Sequence, residues 1–177
     1  MKPIFCSLAL AALPSLAGAH PHVFIDTRVE VILDEDGLQA VRLTWVYDDF
    51  FSLLLTEDFG LDQDMDGELT PDELQQLADY VLAWPEGYAG DLIVEAGGRA
   101  LPLGPRQQHE LTYSKGRMAE THLRPVDAPL DGPISIKVFD PAYYPAYSTI
   151  GPVEVTGRDG CSARITRADL MAATDMV

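Results

Sequence analysis

The sequence reads as an α+β chain: a mainly antiparallel, immunoglobulin-like β-sandwich with an inserted EF-hand helix-loop-helix. Three observations lead there. Short runs rich in β-branched and aromatic residues are separated by Gly, Pro and Asp turn signals over most of the chain. One run, 62–73, has the pattern D-x-D-x-D-G-x-L-x-x-x-E of a calcium loop. Apolar residues around that loop recur at helical rather than strand spacing.

Taken in order, residues 1–19 have the pattern of a secretory signal peptide. Lys2 is the positive start, Ile4 to Leu16 is a short apolar stretch, and Ala17-Gly18-Ala19 is an A-x-A cleavage site. The stretch is too short to span a bilayer, and no later segment is long enough. The expectation is an exported protein beginning at His20, with residues 20–177 as a single domain. Val23 to Leu33 alternates as a strand, Asp34-Glu35-Asp36-Gly37 is a hairpin turn, and Leu38 to Tyr47 returns with Val41, Leu43 and Trp45 on one face. The helical calcium unit is inserted at about 49–84. Its entering helix is expected to end early or to dock unusually, because Glu57, Asp58 and Gly60 interrupt the apolar face. In its exit helix, Leu74, Leu77, Ala78 and Val81 recur at helical spacing. Strands are then expected at 92–96 and 99–103 around Gly97-Gly98, and at 107–114 and 117–124 around Lys115-Gly116. A further strand is expected at 134–139, and a last pair at 152–155 and 161–166.

Calcium takes six to eight hard oxygens, which such a loop supplies from its first, third, fifth, seventh and twelfth positions. Asp62, Asp64 and Asp66 occupy the first three, Glu68 offers its backbone carbonyl, and Glu73 is the bidentate closing carboxylate. Gly67 stands where the loop bends and Leu69 anchors it to the core. A solvated acidic turn would explain the aspartates but not the offsets of Gly67 and Glu73. EF-hands usually pair, and this loop is single, so it must pack on the rest of the domain.

The formal charge is −16, and −17 once Lys2 leaves with the leader. Such a surface repels nucleic acid and anionic lipid, so neither is expected as a partner. Cys161 is the one cysteine after the leader; no internal disulfide can form, and a buried thiol is expected.

The histidines suggest a second metal. His20 would carry an α-amine and an imidazole after cleavage, and His22 adds a third nitrogen, a donor set suited to zinc, copper or nickel. Pro21 lacks the N–H that the square-planar amino-terminal copper motif requires. If the hairpin turns through Lys115-Gly116, Ser114 faces Arg117 and His109 falls opposite His122. The two imidazoles would then be close enough to share a metal, since facing Cβ atoms are about 5 Å apart. A bulge would break that register.

His20-Pro21-His22-Val23-Phe24-Ile25-Asp26, Trp45, Phe50-Phe51-Ser52, the acidic loop, Asp140-Pro141-Ala142-Tyr143-Tyr144 and Gly160-Cys161 together resemble a bacterial periplasmic family of unknown function. Its members are often labelled as periplasmic components of ABC-type transport systems, and they are associated with nickel/cobalt-exporter-like and zinc-uptake membrane proteins. The resemblance implies a periplasmic accessory that handles zinc, nickel or cobalt for a membrane metal transporter, with calcium bracing the fold. A calcium-stabilised interaction module without a transition metal is the alternative, with Tyr143 to Tyr147 as a docking segment. No nucleophile elbow, H-E-x-x-H or phosphate loop is present, so a binding protein rather than an enzyme is expected.

Overall fold

A computed structural model describes residues 22–129, 132–142 and 144–166. In chain order the elements are β1 (Val23–Leu33), β2 (Gly37–Tyr47), α1 (Asp49–Phe59), α2 (Pro71–Val81), β3 (Leu92–Ala96) and β4 (Arg99–Ala100). They continue with β5 (Gln107–Ser114), β6 (Arg117–Pro129), β7 (Ile134–Val138), β8 (Pro145–Thr149) and β9 (Glu154–Thr156). The architecture is mixed, with mostly antiparallel sheets and two helices.

The larger sheet has the order β5-β6-β2-β1-β8, with β9 also on β1. β1, β2, β6 and β5 are antiparallel neighbours, whereas β8 and β9 run parallel to β1. The smaller sheet has the order β4-β3-β7. Alternation in β2 buries Val41, Leu43 and Trp45, and these join Leu92 and Val94 of β3 and Leu77 of α2 in one core. Each of these side chains is worth about 1.5–3 kcal/mol on burial.

The helices have local causes. Asp48 caps α1 by accepting from the Phe51 N–H, and Thr70 caps α2 in a reciprocal capping box with Glu73, followed by Pro71 in the first turn. α1 does not end early; it runs to Gly60, whose left-handed conformation closes it.

Other expectations are corrected. The strand expected at 99–103 stops at Ala100, two residues before Pro102. β6 continues past Arg124 to Pro129, and Pro125 is tolerated because it lies at a register shift against β2. β8 is a strand the sequence reading did not give; its opening Pro145 is acceptable at a strand start on the sheet edge. The last pair does not form: 154–156 pairs with β1, and 161–166 has no strand and is exposed. Cys161 is therefore exposed, not buried. The leader and His20 lie outside the described residues, and so does Tyr143. Among the described residues no helix is long and apolar enough to cross a membrane.

Candidate functional site

The loop between α1 and α2 gathers three carboxylates: oxygens of Asp62, Asp64 and Asp66 all lie within 4.8 Å of one another. Asp62 Oδ1 accepts from the backbone N–H groups of Asp66 (3.1 Å) and Gly67 (3.3 Å), which folds the chain around that carboxylate. Gly67 takes φ 78°, where a side chain would be strained. Glu73 lies at the loop's closing end. Its Oε1 accepts from the Asp62 N–H at 3.2 Å and its Oε2 from the Thr70 hydroxyl and N–H at 2.7 and 2.9 Å. The Thr70 hydrogen bonds, hydroxyl first, hold the Glu73 carboxyl below its ordinary range, so it stays ionised. A concavity of about 460 Å³ lies over Asp64, Asp66, Glu68 and Glu73.

The single loop packs against the β5–β6 turn. The Gly67 carbonyl accepts from the Gly116 N–H at 2.9 Å. The Glu68 side chain accepts from the Ser114 hydroxyl and the Lys115 N–H, each at 3.2 Å, so it holds the hairpin while its backbone carbonyl remains with the loop.

That same hairpin positions a second cluster. Ser114 pairs with Arg117 as expected, and the register holds as far as Glu110 with Thr121. It then shifts: a bulge at Gln108 and His109 places two residues of β5 against His122. The direct His109–His122 pairing is thus corrected. Gln108 carries the irregularity at φ 47° and is held by Arg42. The bulge still leaves the two rings together, with centroids 6.0 Å apart.

The sequence reading missed the group between them. Met118, Glu120, His122 and Arg124 of β6 all turn to the buried face. Glu120 is 1 % exposed and His122 is fully buried. Glu120 Oε1 is 2.5 Å from His109 Nε2 and 3.8 Å from His122 Nδ1, while Oε2 accepts from the Tyr47 hydroxyl at 3.1 Å. Strand alternation alone puts residues 120 and 122 on one face; that was the available signal.

His122 has no hydrogen bond at either ring nitrogen. A buried imidazole without partners is costly. Burial, then repulsion from His109, Arg124 and Arg106, push its pKa down to about 3, so it is a neutral donor with its lone pair free. The rings of Trp45 and Trp84 meet it edge-on at 4.7 Å. Gly90 allows that enclosure: a Cβ there would lie 2.7 Å from the Trp84 ring and 3.3 Å from His122 Nε2. Arg124 fixes the Gly90 loop by donating to the Tyr88 and Ala89 carbonyls.

Around a tetrahedral zinc, N and O donors at about 2.0–2.1 Å stand about 3.3 Å from one another. The Glu120–His122 separation is slightly wider than this, and the Glu120–His109 separation is that of a hydrogen bond. Two imidazoles and a carboxylate are a zinc-type donor set, but among the described residues only Asp62, Asp64 and Asp66 bring three donor atoms within 4.8 Å of one another, so closing on a metal requires the two rings to approach and the His109–Glu120 hydrogen bond to open. His22 lies elsewhere: its N–H donates to the Tyr144 carbonyl at 3.0 Å, and its ring packs on that of Tyr144. His22 is thus not part of the His109–Glu120–His122 group, and His20 lies outside the described residues.

Comparison with known proteins gives one finding. A family model described as a protein of unknown function (DUF1007) matches residues 5–176. No curated protein and no solved structure matches the chain.

Proposed function

The chain belongs to the DUF1007 family of proteins of unknown function. From that premise we propose that it is a periplasmic metal-binding accessory of a transition-metal transport system, with calcium bound in the 62–73 loop. His109, Glu120 and His122 hold the transition ion, and a membrane metal transporter is its partner. The observation that carries this reading is His122: fully buried, neutral, without a hydrogen bond at either nitrogen, and beside a buried carboxylate. An imidazole with only a packing role would be expected to satisfy at least one nitrogen. Two nitrogens and one carboxylate suit zinc first, then nickel or cobalt. The role is binding rather than catalysis. We read the two sheets as an immunoglobulin-like sandwich and the α1–loop–α2 unit as an EF-hand insertion, supported by the caps, the Asp62 turn and the three gathered aspartates.

The test is a zinc titration against a chromophoric competitor, using the exported protein and three variants. His122→Leu and Glu120→Gln should weaken zinc at least about tenfold, and His20→Ala/His22→Ala should leave it nearly unchanged. The opposite pattern would move the site to the N-terminus. A calcium-stabilised docking module is the second reading. One observation favours it: Phe50, Leu53 and Leu54 expose an apolar face of α1. Zinc binding no tighter in the wild type than in His122→Leu would leave that reading standing.

A further inference from the structure

A cleft of about 330 Å³ opens beside the buried cluster, and its lining is chemically one-sided. Half of the lining residues are aromatic, among them both tryptophans of the chain. Trp45 and Trp84 stack at 5.6 Å, Tyr147 tilts against Trp45 at 5.4 Å, and Tyr88 meets Trp84 edge-on at 4.8 Å. Tyr47 and Phe51 stack on each other at 5.5 Å. Among the described residues the charged lining groups are Asp91, Glu120 and Asp140, and no lysine or arginine lines the cleft.

Both nearby arginines already have partners, one of them a ring that lines the cleft. Arg106 lies over the Trp84 ring at 4.2 Å and donates to the Leu82 carbonyl. Arg124 is held by the Gly104, Tyr88 and Ala89 carbonyls. Nor do the tyrosines neutralise the carboxylates. Burial and the neighbouring carboxylates raise the pKa of Tyr47, Tyr88 and Tyr147, so all three remain protonated donors. Tyr147 donates to Asp91 at 2.7 Å and Tyr47 to Glu120.

We infer that this cleft binds a small organic cation whose charge sits on an alkylated ammonium group. Aromatic faces attract such a charge through their quadrupoles, most strongly when it is desolvated. The carboxylates add a Coulombic field in a partly dry site. An alkylated ammonium suits the cleft better than a primary amine, because Asp91 and Glu120 already accept hydrogen bonds and N–H donors would compete for them. It also suits the cleft better than a metal, since rings at these spacings offer no coordination sphere. Asp91 is the principal anchor, because Glu120 is shared with His109. The site therefore borders the proposed transition-metal cluster and shares Glu120 with it, while its anchor Asp91 belongs to the cleft alone.

Both tryptophans line the cleft, so intrinsic fluorescence reports its occupancy directly. The full exported protein, with calcium and without transition metal, is titrated with choline and with its neutral carbon isostere, 3,3-dimethylbutan-1-ol. Calorimetry runs alongside. Saturable choline binding is expected, with the isostere at least about tenfold weaker. Asp91→Asn should weaken choline at least about fivefold. Should Asp91→Asn fail the circular-dichroism check, Tyr144→Ala replaces it; this rim residue is 51 % exposed and its truncation leaves the core intact. It should weaken choline severalfold. Equal affinity for choline and the isostere, no saturable choline signal, or undiminished binding by the folded variant would overturn the assignment.

Discussion

A neutral imidazole sealed against Trp45, Trp84 and Gly90 makes folding sensitive to acid. His122 titrates near 6.5 in the unfolded chain and near about 3 in the folded one. Between those values only the unfolded chain takes up the proton. Stability is therefore intact above the unfolded value and falls as pH drops from about 6.5 toward 3, by about 5 kcal/mol over the window. The facing charges are His109 on β5, Arg106 just before it, and Glu120 and Arg124 on its own strand. His122→Leu should lose about 2 kcal/mol less than the wild type on going from pH 7 to pH 5, read from urea unfolding. Its stability at pH 7 should change by less than about 1.5 kcal/mol, because an apolar residue of similar size replaces an unpaired polar one. An unchanged acid slope would mean that the ring is solvated or paired in solution. Gly90→Ala tests the enclosure from the other side. At φ +76°, with its Cβ 2.7 Å from Trp84, it should cost about 2 kcal/mol and alter the near-ultraviolet dichroism of the tryptophans.

At the level of elements, the capped helices and the 62–73 loop form a unit whose two energetic contributions separate. Thr70→Ala removes the N-cap and should cost about 1 kcal/mol with or without calcium. Glu73→Gln keeps one acceptor oxygen, enough for the capping box, but loses the second acceptor and the closing charge. It should fall about 1 kcal/mol below the wild type in chelator, for the lost hydrogen bond, and forfeit most of the calcium-dependent gain, which is about 2.7 kcal/mol at one hundred times the dissociation constant. Thermal melts with calcium and with chelator read both; a full gain in Glu73→Gln would remove calcium from the loop. These elements were legible because their signals are local. Alternation and turn residues gave β1, β3 and β5 with their observed bounds, and the hairpin turn at Lys115-Gly116 in its observed register as far as Glu110. β8 was not legible, since its place is set by parallel pairing with a strand more than a hundred residues earlier. The bulge at Gln108 was hidden for a related reason: a one-residue shift depends on the Arg42 contact across the sheet, not on nearby sequence. Glu120 was readable from strand alternation, whereas the approach of Trp84 and Gly90 to His122 arises only once the loop after α2 folds back.

Across the whole molecule, a charge of −16 favours the capture of cations and keeps nucleic acid away. Cation binding should therefore weaken with ionic strength at the exposed calcium loop more than at the buried His109–Glu120–His122 cluster, because screening acts mainly on exposed charges. The larger sheet supplies His109 from β5 and Glu120 and His122 from β6, so an ion held there ties β5 and β6 together. The most direct measurement is zinc stoichiometry and affinity for the wild type and His122→Leu, with calcium saturating. One zinc per wild-type chain, with affinity at least about tenfold weaker in His122→Leu, is the expected result. Equal zinc affinity in the two proteins would contradict a metal site built on the buried histidine.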